Sequence, residues 1–173
     1  MGVARAAGDN AMRNALSALG APAAVARALA AHAGGPGGAE VLLHGLAAVE
    51  RLSLLAGCRD ELGAHGACAA VTAAMGARAM RSERTLVHAL NAARLLMLDN
   101  PANRERLANA NVCEHLGLIL TIPAGPPAGE DQGEGNGGGD AGGERSVATA
   151  ACTLLEAIAV GHPEHLERVR AAA

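Results

Sequence analysis

Small and apolar residues recur with a helical period in three long segments of the chain. The first set is Leu42, Gly45, Leu46, Val49, Leu52 and Ser53. The positions 44 residues later hold Leu86, Ala89, Leu90, Ala93, Leu96 and Met97, and those 62 residues further on hold Ala148, Ala151, Cys152, Leu155, Ile158 and Ala159. A spacing of three, four and seven residues is typical of one buried helix face. The pattern therefore predicts three long helices, and signals for β-strands are absent from it.

Shorter helices are predicted around the long ones. Their approximate bounds are 9–19, 21–32, 58–65, 67–78, 102–110, 112–121 and 163–172. Glycine and proline mark the breaks between helices at Gly34–Gly38, at Asp99–Pro101 and at Gly161–Pro163. These residues end or restart helices because glycine adopts conformations outside the helix and proline lacks an N–H to donate. The chain is thus predicted to be all-α.

A repeat runs through this helical pattern. GAPAAVARALAAH begins at Gly20, GACAAVTAAMGAR at Gly66 and a divergent third copy, NVCEHLGLIL, at Asn111, so the copies are 45 or 46 residues apart. A period of this length is typical of stacked helical repeats, in which each unit buries its apolar face against the next. Proteins of that architecture more often present a binding surface than a catalytic site.

The composition of the chain argues against a nucleic-acid partner. The chain has 173 residues and a net charge of −3, with no aromatic residue, and all 14 of its cationic side chains are arginine. A nucleic-acid-binding surface needs clustered positive charge, and single-strand binding also needs aromatic rings on which bases stack. We therefore expect no nucleic-acid partner.

The segment 122–144 departs from the repeat. It is rich in glycine and proline, carries five acidic and no basic residues, and makes the third repeat about 17 residues longer than the second. Such a composition has nothing to bury, so we expect a disordered insertion inside the third repeat. The spacing Gly133-x-Gly135-x-x-Gly138 formally matches a dinucleotide fingerprint, but no strand precedes it and its acidic neighbours would repel a pyrophosphate. No cofactor is expected.

The cysteines and histidines give no pattern of a metal or catalytic site. Cys58, Cys68, Cys113 and Cys152 include no C-x-x-C pair, and His162-Pro-Glu-His165 spans a predicted helix start. We expect reduced thiols, no metal and no enzyme activity. With no signal peptide or long apolar span, a cytoplasmic or nuclear location is expected, and the Ala- and Arg-rich N-terminus leaves a transit peptide as the alternative.

The three-helix unit resembles the armadillo repeat. The segments CRDELGAHGACAAVTAAM, from Cys58, and NPANRERLANANVCEHLGLIL, from Asn100, carry the resemblance best. It implies a right-handed α-solenoid of about three armadillo-like three-helix repeats with an extra terminal helix, and residues 1–173 as a single domain. A HEAT-type solenoid is the neighbouring alternative.

One departure from the family bears on binding. Members that carry nuclear cargo present a ladder of Trp and Asn on the long helix of each repeat. The matching Trp positions here hold Ala47, Asn91 and Thr153, and the matching Asn positions hold Arg51, Leu95 and Ala157. Because the ladder is missing, the resemblance does not imply recognition of basic nuclear-localisation peptides.

The long helices of an armadillo-like stack line a concave groove, and their repeated face outside the core is the expected ligand surface. His44 and His88 occupy equivalent positions on that face. The candidate groove residues are His44, Ala47, Arg51, His88, Asn91, Leu95 and Thr153. The alternative is that these are solvated positions that recur only because the segment was duplicated.

The expected function is that of a scaffold or adaptor that binds an extended peptide or a helix of a partner protein in this groove. The alternative is a structural segment of a longer helical array whose main contacts are with neighbouring repeats. Self-association through the C-terminal end is a further expectation, because Leu166 and Val169 of the last predicted helix have no following repeat to cover them.

Overall fold

The computed structural model describes residues 2–32, 38–76, 83–121, 147–159 and 163–172. These residues are all-helical, and no strand is present among them. Their ten helices are α1 (Gly2–Ala18), α2 (Ala21–His32), α3 (Ala39–Leu52), α4 (Ala56–Ala64), α5 (Ala67–Met75), α6 (Glu83–Met97), α7 (Pro101–Asn109), α8 (Val112–Thr121), α9 (Val147–Ala159) and α10 (Pro163–Ala172). The predicted insertion at 122–144 lies outside the described residues.

The predicted helix boundaries agree with the observed ones to within a few residues, except that α1 begins at Gly2 rather than near residue 9. The break before α7 has the expected chemistry. The side chain of Asn100 accepts a hydrogen bond from the Asn103 N–H, and Pro101 occupies the first turn of the helix. An N-terminal turn suits proline because its missing N–H would have had no partner there.

The same turn geometry precedes α2, α5 and α8. Gly20, Gly66 and Asn111 stand immediately before these helices with φ angles of 75°, 86° and 68°. Positive φ is readily adopted by glycine and, among the other residues, most often by asparagine and aspartate. The sequence repeat that begins at these three residues therefore corresponds to a repeated turn in the backbone.

Helices at equivalent sequence positions lie beside one another. The long helix α3 packs against α6, and α6 packs against α9. In the same way α2 contacts α5, and α5 contacts α8. The short helices α4 and α7 also touch, while α10 packs against α8 and α9. Each long helix is thus in contact with the next long helix along the chain.

The core lies where the apolar pattern places it on the first two long helices. Leu46 and Leu90 are fully buried, and Leu52 and Leu96 are at most 5% exposed. This confirms the predicted buried faces of α3 and α6 and their offset of 44 residues. The core extends through α5, where small side chains such as Ala70 and Ala74 permit close approach of the helices.

The predicted buried face of α9 is confirmed only in part. Ala151 and Ile158 are buried as predicted, but Cys152 is exposed and Leu155 is only half-buried, whereas Ala150 and Leu154 are buried. Burial on α9 therefore matches burial on α6 with an offset of 61 residues rather than 62. The cause is that α9 is apolar on two adjacent flanks, with Leu154 beside Leu155, so its sequence does not select one register.

The last helix also differs from expectation. Val169 is 5% exposed because α10 packs along α8, so the prediction that Val169 forms an exposed apolar edge is wrong. Leu166 is half-buried. Arg168 donates hydrogen bonds from Nη2 and Nε to Oε1 of Glu114 at 2.7 and 3.1 Å, which joins α10 to α8 by an ion pair.

Asn103 connects three helices in the interior. Its side chain is fully buried, and its Nδ2 donates to the carbonyls of Arg59 on α4 and Leu96 on α6 at 2.8 and 3.0 Å. The Leu96 carbonyl lies in the last turn of α6, where a carbonyl lacks a partner within its own helix. Gly63 is required beside this amide, since a Cβ there would overlap the Asn103 Oδ1. The result is a fixed relation between α4, α6 and α7.

Candidate functional site

The candidate groove residues of α3 lie outside the core. His44 is exposed, and its Nε2 is 3.3 Å from Oε2 of Glu40 on the same helix. Arg51 is exposed and Ala47 is half-buried. An exposed pair one turn apart contributes little to stability, so His44 is held only loosely. Both polar side chains are available to a ligand.

The equivalent residues of α6 lie deeper. His88, Asn91 and Leu95 are all half-buried. The Nδ1 of His88 is 3.2 Å from Oε2 of Glu50 on α3, a contact that becomes an ion pair when the imidazole is protonated. Glu50 is the functional neighbour that the sequence pattern did not identify. His44 and His88, predicted to be equivalent, therefore differ in that only His88 contacts an acid on the adjacent helix.

The electrostatic environment of Glu50 results from this contact. Its side chain is 18% exposed, and burial raises the pKa of its carboxyl above the usual 4.5. His88, Arg51 and a hydrogen bond from Asn91 oppose that shift without cancelling it. The Oδ1 of Asn91 is buried and has no hydrogen-bond partner. Glu50, His88 and Asn91 thus form a polar cluster across the contact between α3 and α6, which we term the first junction.

Thr153 lies apart from the other candidates. It is half-buried on the flank of α9 that faces α6, and its hydroxyl donates to the carbonyl of Ala150 at 2.9 Å. With the corrected offset of 61 residues, the α9 residues equivalent to His88, Asn91 and Leu95 are Thr149, Cys152 and Glu156, all of which are exposed. The structure therefore places Thr153 beside the face of α9 that corresponds to the candidate face of α6. The residues on that face are Thr149, Cys152 and Glu156.

Thr153 instead lines an open cleft of about 440 Å³ between the C-terminal half of α6, the start of α7 and α9. Arg94, Leu98 and Asp99 form one side of it, Arg104 projects from α7, and Glu156 lies on α9. The cleft adjoins the candidate face on α6, because Arg94 follows Asn91 by three residues on one flank of the helix, and Leu98 lies in the turn that follows α6. We term this contact of α6 and α7 with α9 the second junction.

Arg94 occupies the position on α6 that Glu50 occupies on α3, with the same offset of 44 residues as the buried leucines. Glu50 meets His88 on the next helix, but the α9 residue at the histidine position is the uncharged Thr149. The Nε of Arg94 is buried without a hydrogen-bond partner. Within the described residues Arg94 forms no ion pair, although Glu156 lines the same cleft.

Arg104 also differs from the residue at the equivalent position one repeat earlier, which is Arg59. It follows Arg59 by 45 residues, the same offset that relates Cys58 to Asn103 and Leu62 to Leu107 on the buried faces of α4 and α7. Arg59 is 8% exposed and its Nη1 donates to the Ser53 carbonyl at 3.0 Å. The Nε of Arg104 is buried and unpartnered. The second junction thus holds two arginines with a buried, unpartnered Nε. Buried atoms without a hydrogen-bond partner also occur at the first junction, on Glu50 Oε1, His88 Nδ1 and Asn91 Oδ1.

The remaining reactive side chains do not form a site. The cysteines are unpaired; Cys58, Cys68 and Cys113 are buried, and burial raises the pKa of the Cys68 thiol to about 11, so it remains protonated and unreactive. No group of three His, Cys, Asp or Glu side chains that could hold a metal ion exists in the described ranges. Among the helices whose residues are described, none is long and apolar enough to cross a membrane.

Comparison of the chain with protein-family models, with curated proteins and with solved structures finds no match. The function is therefore argued from the two junctions and the face that connects them.

Proposed function

We propose that the chain is a non-enzymatic protein-interaction module, an armadillo-like α-solenoid that binds an extended segment of a partner protein along the row formed by α3, α6 and α9. Three features support this architecture: the 45-residue repeat, the repeated positive-φ turn before α2, α5 and α8, and the side-by-side packing of equivalent helices. Stacked helical repeats create long continuous surfaces suited to extended ligands.

The observation that carries the proposal is a band of polar side chains across adjacent long helices whose hydrogen-bonding groups the fold uses only in part. Arg51 is exposed without a hydrogen bond, and Asn91 has a buried carbonyl oxygen without a partner. Natural proteins seldom leave buried polar atoms unpaired, because the lost solvation costs about 1–3 kcal/mol for each group. A bound peptide backbone would supply the N–H that Asn91 Oδ1 lacks and a carbonyl for the Arg51 guanidinium.

The expected affinity is modest. Interfaces bind tightly when large aromatic side chains fill pockets, and this chain has no aromatic residue. The exposed leucine side chains near the band, Leu54 and Leu98, bury less area than an aromatic ring would. We expect dissociation constants on the order of micromolar.

A selection from a library of displayed 12-residue random peptides on the full chain tests the proposal. A selected peptide should bind several-fold more weakly to Arg51→Glu and to Asn91→Ala than to the wild type. Arg27→Glu is the matched control, because Arg27 is an exposed arginine on α2, outside the long-helix row. If Arg27→Glu weakens binding while Arg51→Glu and Asn91→Ala do not, the peptide lies elsewhere and the proposed surface is wrong.

A second candidate function is that of a structural segment within a longer helical array. The observation that favours it is an exposed apolar group formed by Met12 and Leu16 of α1 and by Leu19 in the turn that follows, which are 63%, 39% and 83% exposed. Their spacing of four and three residues places them on one face, which a preceding helix pair could cover. Self-association at high concentration that Leu16→Glu abolishes would favour this candidate, whereas a monomer at all concentrations would count against it.

A further inference from the structure

The second junction contains an open cleft, although α6 and α9 pack against each other as α3 and α6 do. The cleft of about 440 Å³ has room for a few side-chain atoms of a ligand, and its wall combines apolar with charged groups. Leu98 is 45% exposed at its edge. At the first junction, Glu50 occupies the position equivalent to Arg94, and its Oε2 lies 3.2 Å from Nδ1 of His88.

The two arginines of the cleft define the charge it can accept. Arg94 and Arg104 each have a buried Nε without a hydrogen-bond partner, and no ion pair joins either of them to Asp99 or Glu156. A guanidinium pairs best with a planar carboxylate, which accepts from Nε and Nη together in a bidentate contact. Reorientation of either side chain toward the cleft would bring its Nε into such a contact.

The acidic residues of the cleft limit the charge of the ligand. Asp99 and Glu156 are exposed and balance the two arginines, so the cleft as a whole is close to neutral. Phosphate would bring two negative charges on one group close to both acids, whereas one carboxylate group brings a single negative charge into the cleft, and a second carboxylate on the same molecule, as in glutarate, can stay in solvent. Leu98 and Ala157 provide an apolar wall for the methylene groups that carry a side-chain carboxylate.

We propose that the cleft binds a carboxylate of the partner segment, held by the guanidinium groups of Arg94 and Arg104. The partner is thus a peptide that carries a carboxylate where it passes the end of α6. This carboxylate belongs either to an acidic side chain or to the C-terminus of the peptide. The inference rests on the proposed function, since the carboxylate is taken to belong to a bound peptide. The inference adds that the partner carries a carboxylate, which the polar band on α3 and α6 does not specify.

The test is a titration of the full chain, labelled with ¹⁵N at arginine, monitored by the Nε–Hε signals of Arg94 and Arg104. The probes are glutarate, neutral glutaramide, inorganic phosphate and sodium chloride at matched ionic strength. Arg94→Lys and Arg104→Lys assign the two signals. We expect saturable shifts of both with glutarate at about millimolar concentration and none with glutaramide. The exposed Arg27 should not respond.

Several results would overturn the inference. If the Nε–Hε signals shift linearly with glutarate concentration, or if sodium chloride causes the same shifts, the salt screens the arginine charges and glutarate occupies no site. Saturation by phosphate at lower concentration than by glutarate would show a phosphate site. Arg104→Gln should abolish the glutarate response of Arg94 without lowering the melting temperature, and a preserved response would exclude joint binding.

The titration separates this inference from the proposed function. If glutarate does not bind but a selected peptide is weakened by Arg51→Glu, the peptide surface stands and the cleft inference fails. If glutarate binds but no peptide is selected, the cleft is a carboxylate site and the proposed function fails. The two carboxylate sources are distinguished by the affinity of modified peptides. Replacement of an internal glutamate by glutamine weakens binding if the side chain enters the cleft, and amidation of the C-terminus weakens binding if the terminal carboxylate does.

Discussion

The two junctions differ in how they use equivalent positions. At the first, Glu50 lies 3.2 Å from His88, and Arg59 donates to the Ser53 carbonyl at 3.0 Å. At the second, the matching positions hold Arg94 and Arg104, and the Nε atoms of both lack partners. The buried leucines of α3 and α6 are the same distance apart in sequence as Glu50 and Arg94, so the backbone frame is shared. The difference therefore lies in the side chains on that frame.

Under the proposed function, this difference separates Arg59, which serves folding, from Arg94 and Arg104, which remain for a ligand. Buried polar groups stabilise a fold only when their hydrogen bonds are satisfied, and unpaired ones lower its stability. Arg59 is satisfied within the chain, whereas Glu50 Oε1, His88 Nδ1 and Asn91 Oδ1 at the first junction are buried without hydrogen-bond partners, as are the Nε atoms of Arg94 and Arg104 at the second. The unpaired groups of the second junction differ in that their arginines line an open cleft, where a ligand could complete their contacts.

The largest effect is expected at Leu90, because α6 belongs to both junctions. Its side chain is fully buried in the common core. Leu90→Ala should lower the free energy of unfolding by about 2–5 kcal/mol, through lost burial and the cavity left behind. Chemical denaturation monitored by circular dichroism measures this. The exposed Leu120→Ala on α8 is the control, and equal losses for the two variants would contradict the shared core.

Asn103→Ala should have the next largest effect, since it removes the donor that joins the end of α6 to α4. The Leu96 carbonyl would lose its partner, and the cost should be about 2–4 kcal/mol. Asn109→Ala is the matched control, because Asn109 lies exposed on the same helix. Denaturation curves for the two variants should separate clearly. Superimposable curves would mean that Asn103 does not hold the junctions together.

Substitution of the two equivalent arginines by methionine compares the junctions directly. Arg59→Met should destabilise the chain by about 1–3 kcal/mol, because it leaves the buried Ser53 carbonyl without its donor. Arg104→Met should be neutral or slightly stabilising, since it removes a buried Nε that has no partner. Thermal denaturation of both variants provides the measurement. A larger loss of stability for Arg104→Met than for Arg59→Met would mean that Arg104, and not Arg59, is the arginine that stabilises the fold.

The smallest expected effect is the pH dependence contributed by Glu50. Its folded-state pKa lies above the usual 4.5, so between 4.5 and that raised value the folded chain binds more protons than the unfolded chain. Its contribution to stability is therefore lost as the pH rises through this window.

Thermal melting of wild type and Glu50→Gln from pH 7.5 downward measures this dependence. The wild type should gain stability relative to Glu50→Gln as the pH falls. Glu40→Gln is the control, because Glu40 is exposed and its contact with His44 lies on one helix. A difference between wild type and Glu50→Gln that is constant with pH would show that burial does not perturb this carboxyl.

Sequence periodicity predicted the all-helical fold and the buried faces of α3 and α6, but only part of the candidate site. Leu46 and Leu90 were identified because one face of each long helix is apolar and the opposite face is not. The register of α9 was missed because Leu154 and Leu155 make two flanks equally apolar. Arg94 and Arg104 were not singled out, because a sequence does not reveal whether an arginine has a partner on another helix. Glu50 was missed for the same reason.

The most direct test of the account is the affinity of a display-selected peptide for Arg104→Met, measured by calorimetry beside the wild type and Arg27→Met. The account predicts that Arg104→Met loses at least about tenfold in affinity, which is about 1.4 kcal/mol, while its melting temperature does not fall. Arg27→Met should bind like the wild type. Unchanged affinity of Arg104→Met, or a loss accompanied by the unfolding expected of Arg59→Met, would contradict the claim that the second junction is kept for a ligand.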